Sequence, residues 1–133
     1  MAISAEQMVA AAEAEIETIS VETAQTLTLD DQCVFVDIRD IRELWREGKV
    51  PGATHAPRGM LEFWIDPLSP YHREIFAEDK HFIFYCAAAW RSALAAQTAQ
   101  LMGMNNVCHI AGGFAAWQEA GAATESVPAK PPA

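Results

Sequence analysis

The sequence predicts a single α/β domain with a mostly parallel central sheet and helices on both faces. Three observations carry this. Short apolar runs, "CVFVDI" (33–38), "HFIFYC" (81–86) and "NVCHI" (106–110), have the β-branched and aromatic content of buried strands. Segments of helical period separate them. Turn signals rich in Gly and Pro mark the joints.

The elements follow in order. Residues 4–17 read as a helix, with Ser4 as the cap and Gln7 completing a capping box. Met8, Ala11, Ala12 and Ile16 give it a weak apolar stripe. A second short helix starts at Ser20–Thr23 and runs to about Leu27. After the strand at 33–38, "DIRELWREG" places Ile41, Leu44 and Trp45 on one helical face, with Gly48 as the stop. "VPGATHAP" reads as turn, brief strand, turn. "MLEFWI" (60–65) packs, and residues 66–80 form a surface excursion with a helical piece near 70–76. The run 81–86 has the pattern of a central parallel strand. From Arg91 to Met102 the period is helical, with Leu94, Thr98, Leu101 and Met102 sharing a face. "AGGFAAWQEAG" is a Gly-Gly turn leading into a short helix that carries Phe114 and Trp117.

The 133 residues suit one domain, and 51% hydrophobic content supports a real core. Residues 1–16 are expected to be an N-terminal helical extension, 17–121 the domain, and 122–133 a disordered, Pro/Ala-rich tail. The formal net charge is -9, and residues 1–31 hold seven acids and no base. That argues against nucleic-acid binding, yet five of the nine bases fall between Arg39 and Arg58, which leaves room for a local anion pocket. No apolar run is long enough for a membrane span. The acidic N-terminus does not resemble a targeting peptide, so a cytoplasmic location is expected. Cys33, Cys86 and Cys108 are odd in number and form no CxxC pair, and the histidines form no HExxH pattern. No disulfide framework, metal site or organic cofactor is expected.

The chemistry concentrates at "FYCAAAWRSALA" (84–95). Cys86 falls at the carboxyl end of the predicted central strand, the edge where open α/β sheets bind ligands. Ala87, Ala88, Ala89 and Trp90 form a four-residue loop before a helix that opens with Arg91-Ser92. Small residues let such a loop curl with its N–H groups inward. Those groups and the helix dipole bind anions and favour a thiolate. Arg91 adds a fixed charge. A thiolate facing an anion with no evident general base suits attack on an activated, electron-poor centre. Cys33 and Cys108 lack this context and read as core. Trp90 is either a rim residue over the pocket or a packing residue.

These residues resemble the rhodanese family. Cys86-Ala-Ala-Ala-Trp-Arg91-Ser92 is similar to its active-site loop. "VDIRDIRELWREGKVPGATHAPRGMLE" (36–62) is similar to its upstream signature, and "GGFAAW" (112–117) to its C-terminal one. The resemblance spans residues 17–121 and implies a single rhodanese-like domain. It implies a sulfurtransferase that moves a sulfane sulfur from thiosulfate or a similar donor to cyanide, a thiol or a protein acceptor through a Cys86 persulfide. By position, the N–H groups of Ala87–Ser92 would hold the anionic sulfur and Arg91 would orient the donor. Arg58 is a further candidate for anion contact, and Asp37 and Arg39 would brace the loop. Two departures stand out: Ala89 where the family often has Gly, and Lys49 where it often has His. The alternatives are a binding or regulatory module of the same fold, or a phosphatase or arsenate reductase. In the latter two the loop has five residues between Cys and Arg, against four here.

Overall fold

The computed structural model describes residues 2–129. Helix α1 (Ala5–Glu15) leads into β1 (Glu17–Ile19), α2 (Val21–Thr26), β2 (Cys33–Asp37), α3 (Ile41–Glu47) and β3 (Thr54–His55). A 3-10 turn at Arg58–Met60 opens α4 (Leu61–Ile65), and a second lies at Glu74–Ala77. Then come β4 (His81–Tyr85), α5 (Trp90–Leu101), β5 (Val107–Ile110) and α6 (Gly113–Glu119).

The five strands form one parallel sheet in the order β1-β5-β4-β2-β3. The run 81–86 supplies the central strand, as its apolar content on both faces requires. Phe82, Ile83, Phe84 and Tyr85 are all buried. Phe82 and Phe84 join the core under α1, α4 and α5, while Ile83 and Tyr85 join the core under α2 and α6. Each such side chain is worth about 1.5–3 kcal/mol on burial, so this strand holds both layers together. No helix among the described residues is long and apolar enough to cross a membrane.

Local chemistry sets the helix ends. Ser4 and Gln7 form the expected capping box on α1. Asp40 and Glu43 form another on α3. Ser20 caps α2.

Four expectations need correction. The three-residue edge strand β1 lies where the sequence predicts only the end of one helix and the start of the next; it pairs in parallel with β5. On α3 only Leu44 is buried, and Ile41 and Trp45 are partly exposed. On α5 the buried face is made of Ala93, Ala95, Ala96 and Ala99, whereas Leu101 is exposed and Thr98 only partly covered. Small side chains let α5 lie close to the sheet and to α1, and the larger residues turn outward. The expected free tail from 122 is docked at least as far as Glu125. Trp117 Nε1 donates to Ala123 O at 2.8 Å, and Glu125 and Lys49 exchange backbone hydrogen bonds of 3.0 and 2.8 Å. Gly48, with φ of 79°, permits this, because a Cβ there would meet Glu125 O at 2.7 Å. The last four residues of the predicted tail, 130–133, lie outside the described residues.

Beneath the carboxyl edge of the sheet lies a buried ion pair. Arg39 Nη2 meets Asp37 Oδ2 at 2.7 Å, and neither side chain is exposed. Arg39 also donates to Gly48 O and Glu47 Oε1, and its guanidinium lies 4.3 Å from the centre of the Phe114 ring. Removing one partner strands a charge in the core, which typically costs about 3–5 kcal/mol. Arg39→Ala is therefore expected to lower the urea midpoint sharply. The double variant Asp37→Ala/Arg39→Met should lose less than Arg39→Ala alone. Equal losses would mean that the pair is not coupled.

Candidate active site

Cys86 follows β4 directly, at the carboxyl edge of the sheet. Its Sγ is almost fully buried and accepts hydrogen bonds from two backbone N–H groups, Ala89 at 3.2 Å and Ser92 at 3.3 Å. Ala88 and Trp90 are exposed at the rim, Trp90 by 53%. The structure thus brings the 86–92 segment together as a cradle, with two of its N–H groups directed at the sulfur. Backbone dipoles aimed at one atom favour negative charge there.

The curl of the loop depends on Ala89, the only non-glycine residue with positive φ among the described residues, at 105°. The left-handed region favours glycine, and holding alanine there costs about 1–3 kcal/mol. The conformation is held from several sides. Ala89 O accepts from Ala93 N at 3.0 Å, the first turn of α5, and from Ser92 Oγ at 3.2 Å. Ser92 Oγ lies 2.9 Å from His109 Nδ1, and His109 Nε2 lies 3.1 Å from Thr18 Oγ1. One consistent set of hydrogens has His109 Nδ1–H donating to Ser92 and Thr18 donating to Nε2. His109 is fully buried, and that burial lowers its pKa, which keeps the ring neutral.

The base of the loop is fixed by α6. Phe114 N donates to Cys86 O at 2.8 Å, and Ala115 N to Ala87 O at 3.0 Å. This close approach needs Gly113: a Cβ there would come within 2.5 Å of Cys86 O and 2.8 Å of Ala87 O.

Arg91 reaches across to α3. Its two terminal nitrogens pair with Glu43 at 2.9 and 3.0 Å. Hydrogen bonding to Arg91 holds the Glu43 carboxyl below its ordinary range, and the same bond raises Arg91. The expected fixed charge beside the loop is therefore partly balanced. Arg58 is not aimed at the loop. It pairs with Glu62 at 2.8 Å and bonds Thr98 Oγ1 at 3.3 Å, and Thr98 lies six residues beyond Ser92, about 9 Å along α5. Asp37 and Arg39 sit beneath the loop rather than in it, tied to Phe114 through the guanidinium. Lys49 donates to Ala53 O at 2.8 Å and pairs with Glu125 at 3.5 Å, so it serves the turn and the docked tail.

Sequence reasoning misses Glu43, His109, Thr18 and Gly113 as site residues. Glu43 carries a signal, the Asp-x-x-Glu capping box that fixes its side chain at the start of α3. His109 and Thr18 carry none, because only strand pairing brings them under the loop. Cys33 and Cys108 are poor nucleophiles. Burial raises both thiols, that of Cys108 to about 12.

A parallel α/β domain that offers a cysteine in a small N–H-lined cradle has the geometry to stabilise a sulfur anion. The model of the rhodanese-like domain family matches residues 20–120, and the chain belongs to that family. Among solved structures it is similar to a Rhodopseudomonas palustris protein of unknown function, described as a possible tyrosine phosphatase. That likeness has 51% identity and a TM-score of 0.92, covering 94% of this chain and 96% of the other. It is also similar to the polysulfide-sulfur transferase homodimer of Wolinella succinogenes, with 27% identity, a TM-score of 0.68, and coverage of 90% and 85%. A human single-domain sulfurtransferase matches at 25% identity with a TM-score of 0.66, covering 77% of this chain and 95% of that one. The chain spans about half the length of the curated relatives that it matches, 57% and 55%.

The strain at Ala89 and the contact at Gly113 predict opposite outcomes in one thermal melt. Ala89→Gly should gain about 1 kcal/mol, strain relief exceeding the added chain entropy, and raise Tm by about 4 °C. Gly113→Ala should lose at least about 1–3 kcal/mol, because its Cβ strikes backbone. If Ala89→Gly melts lower than the parent, the positive φ carries no strain.

Proposed function

We propose that this protein is a sulfurtransferase that carries a sulfane sulfur on Cys86. The observation that carries the reading is the position of Cys86 Sγ between the N–H groups of Ala89 and Ser92, in a loop with four residues between Cys86 and Arg91. The sulfurtransferases among similar structures support it.

The chemistry needs little beyond this. The Cys86 thiolate attacks the outer sulfur of thiosulfate. The sulfur–sulfur bond breaks, and its electron pair leaves with sulfite. Cys86 then carries a persulfide, whose terminal sulfur holds the negative charge and takes over the loop N–H groups. A nucleophile such as cyanide or a thiolate attacks that terminal sulfur and releases the Cys86 thiolate. No net proton transfer is required, in keeping with a site that has no general base in contact with Sγ among the described residues. Arg91 orients the incoming anion in competition with Glu43. A reducing, cytoplasmic setting suits the three free thiols.

A second reading, phosphate-ester hydrolysis, is favoured by the description of the Rhodopseudomonas protein. The four-residue loop weighs against it, since a tetrahedral oxyanion needs a wider cradle.

Intact mass after incubation with thiosulfate is expected to show one added sulfur atom, absent in Cys86→Ser. An adduct that survives Cys86→Ser, or turnover of p-nitrophenyl phosphate without any sulfur adduct, would reverse the order of the two readings. Glu43→Gln keeps an acceptor for the α3 cap but frees the Arg91 charge. A partly exposed pair is worth about 0.2–1 kcal/mol, so KM for thiosulfate should fall by a factor between about 1.4 and 5. An unchanged KM would leave Arg91 a purely structural role.

A further inference from the structure

At the opposite, amino-terminal edge of the sheet, three strands bring unlike donors together. Glu17 opens β1, His81 opens β4, and Cys108 is the second residue of β5. Glu17 is in register with Cys108, and Cys108 with Ile83, two residues beyond His81. Period-two alternation therefore puts all three side chains on the same face of the sheet. One carboxylate oxygen of Glu17, one ring nitrogen of His81 and Cys108 Sγ lie within 4.8 Å of one another. His81 Nε2 is 3.8 Å from Glu17 Oε1, too long for a hydrogen bond. Independently, His81 Nε2 is the one buried side-chain nitrogen or oxygen without a hydrogen-bond partner among the described residues. A buried imidazole nitrogen without a hydrogen-bond partner, on a side chain clustered with a thiol and a carboxylate, is costly unless something joins the three.

We propose that Glu17, His81 and Cys108 form a site for a borderline divalent cation, zinc above all. Imidazole nitrogen, thiolate sulfur and carboxylate oxygen are the donor set zinc takes, with bonds of about 2.0–2.3 Å. Tetrahedral placement puts such ligands roughly 3.5 Å apart. The Glu17–His81 separation of 3.8 Å is already near that value, and all three donors lie within 4.8 Å of one another, so adjustments of about 1 Å bring them into reach of one ion. The fourth position is left to water, because the neighbouring Cys33 faces the negative charge of Asp30, which with burial raises its thiol. Entry is past the Glu17 side chain. The Glu17 side chain is 64% exposed and His81 22%, while Cys108 forms the floor. The Cys108 proton leaves as the metal binds, so affinity rises with pH. The surrounding field suits a cation, since residues 1–31 carry seven acids and no base, and Lys80 nearby faces Glu78 at 3.9 Å. The metal would pin the three-residue edge strand to the centre of the sheet. It lies five residues from Cys86 along β4, roughly 16 Å, and so apart from the sulfur chemistry. No local spacing marks the site, because each ligand comes from a different strand.

Cobalt(II) is the probe, added to the reduced full-length chain. A thiolate-to-cobalt charge-transfer band is expected, lost in Cys108→Ser, kept in Cys86→Ser and Cys33→Ser, and displaced by zinc. Glu17→Gln and His81→Gln should weaken binding by at least ~tenfold. Zinc should raise Tm by several degrees in the parent and not in Glu17→Gln, whose exposed side chain keeps folding out of the comparison. No band in the parent would overturn the proposal, as would a band that persists in Cys108→Ser and vanishes in Cys86→Ser.

Discussion

The approach of Gly113 to the Cys86 loop is the contact on which the rest of the site depends. Two α6 N–H groups reach the carbonyls of Cys86 and Ala87 only because no Cβ stands between them. That fixes where β4 ends and where the cradle begins. The same helix brings Phe114 over the Arg39 guanidinium and against the Tyr85 ring. Arg39 in turn holds Asp37 at the end of β2 and the carbonyl at the end of α3. The three sequence signatures, at 36–62, 86–92 and 112–117, are thus three sides of one brace. A buried ion pair contributes little net stability when weighed against apolar packing. Its worth here is positional, because it fixes the strand ends from which the loop rises.

Within that brace the loop can hold a conformation that alanine resists. The Ala89 N–H points at Sγ, and the positive φ at Ala89 turns the chain from there into α5. The carbonyl of the same residue is taken by α5 and by Ser92, whose hydroxyl is backed by His109 and Thr18. The polar chain from β1 to the loop is therefore continuous, buried at Ser92 and His109 and reaching the surface at Thr18, and a neutral His109 keeps positive charge out of it. A charged imidazole there would have to lose its solvation, and the burial that opposes this also makes the ring a rigid spacer. The strain at Ala89 is local. Its restraint is distributed over three elements.

Much of this is legible in the sequence, and the exceptions have physical causes. The runs beginning at Cys33, His81 and Val107 announce strands because their content fits burial on both faces. Cys86 is legible because a strand end, four small or flat residues and Arg-Ser together specify a tight loop that can hold an anion. β1 is not, since Glu17-Thr18-Ile19 has too few residues to show a period. The α5 face is hidden because leucines outrank alanines on any hydrophobicity scale, whereas close packing selects the alanines. Glu43 and His109 reach the site through pairing across 48 and 17 residues of chain. Arg58 looks available in "PRG" and is instead committed to Glu62 and Thr98. The docking of the tail needs both the Trp117 indole and Gly48, and Gly48 is far from it in sequence.

The three cysteines show how one side chain takes different chemistry from its surroundings. Cys108 sits mid-strand in an apolar layer near Glu17, where burial and a neighbouring negative charge keep it a thiol. Cys33 is less covered but faces Asp30, with the same result. Cys86 is as buried as Cys108, yet it has left the strand. The difference is the backbone: at Cys108 the neighbouring N–H groups are spent on the sheet ladder, whereas beyond Tyr85 they are released by the turn and converge on sulfur. Burial alone would make Cys86 inert. Burial together with two N–H groups is what allows a sulfur anion to be held out of water, and it does so without a nearby base. The position of the strand end, rather than the presence of a cysteine, is therefore what places the chemistry on Cys86.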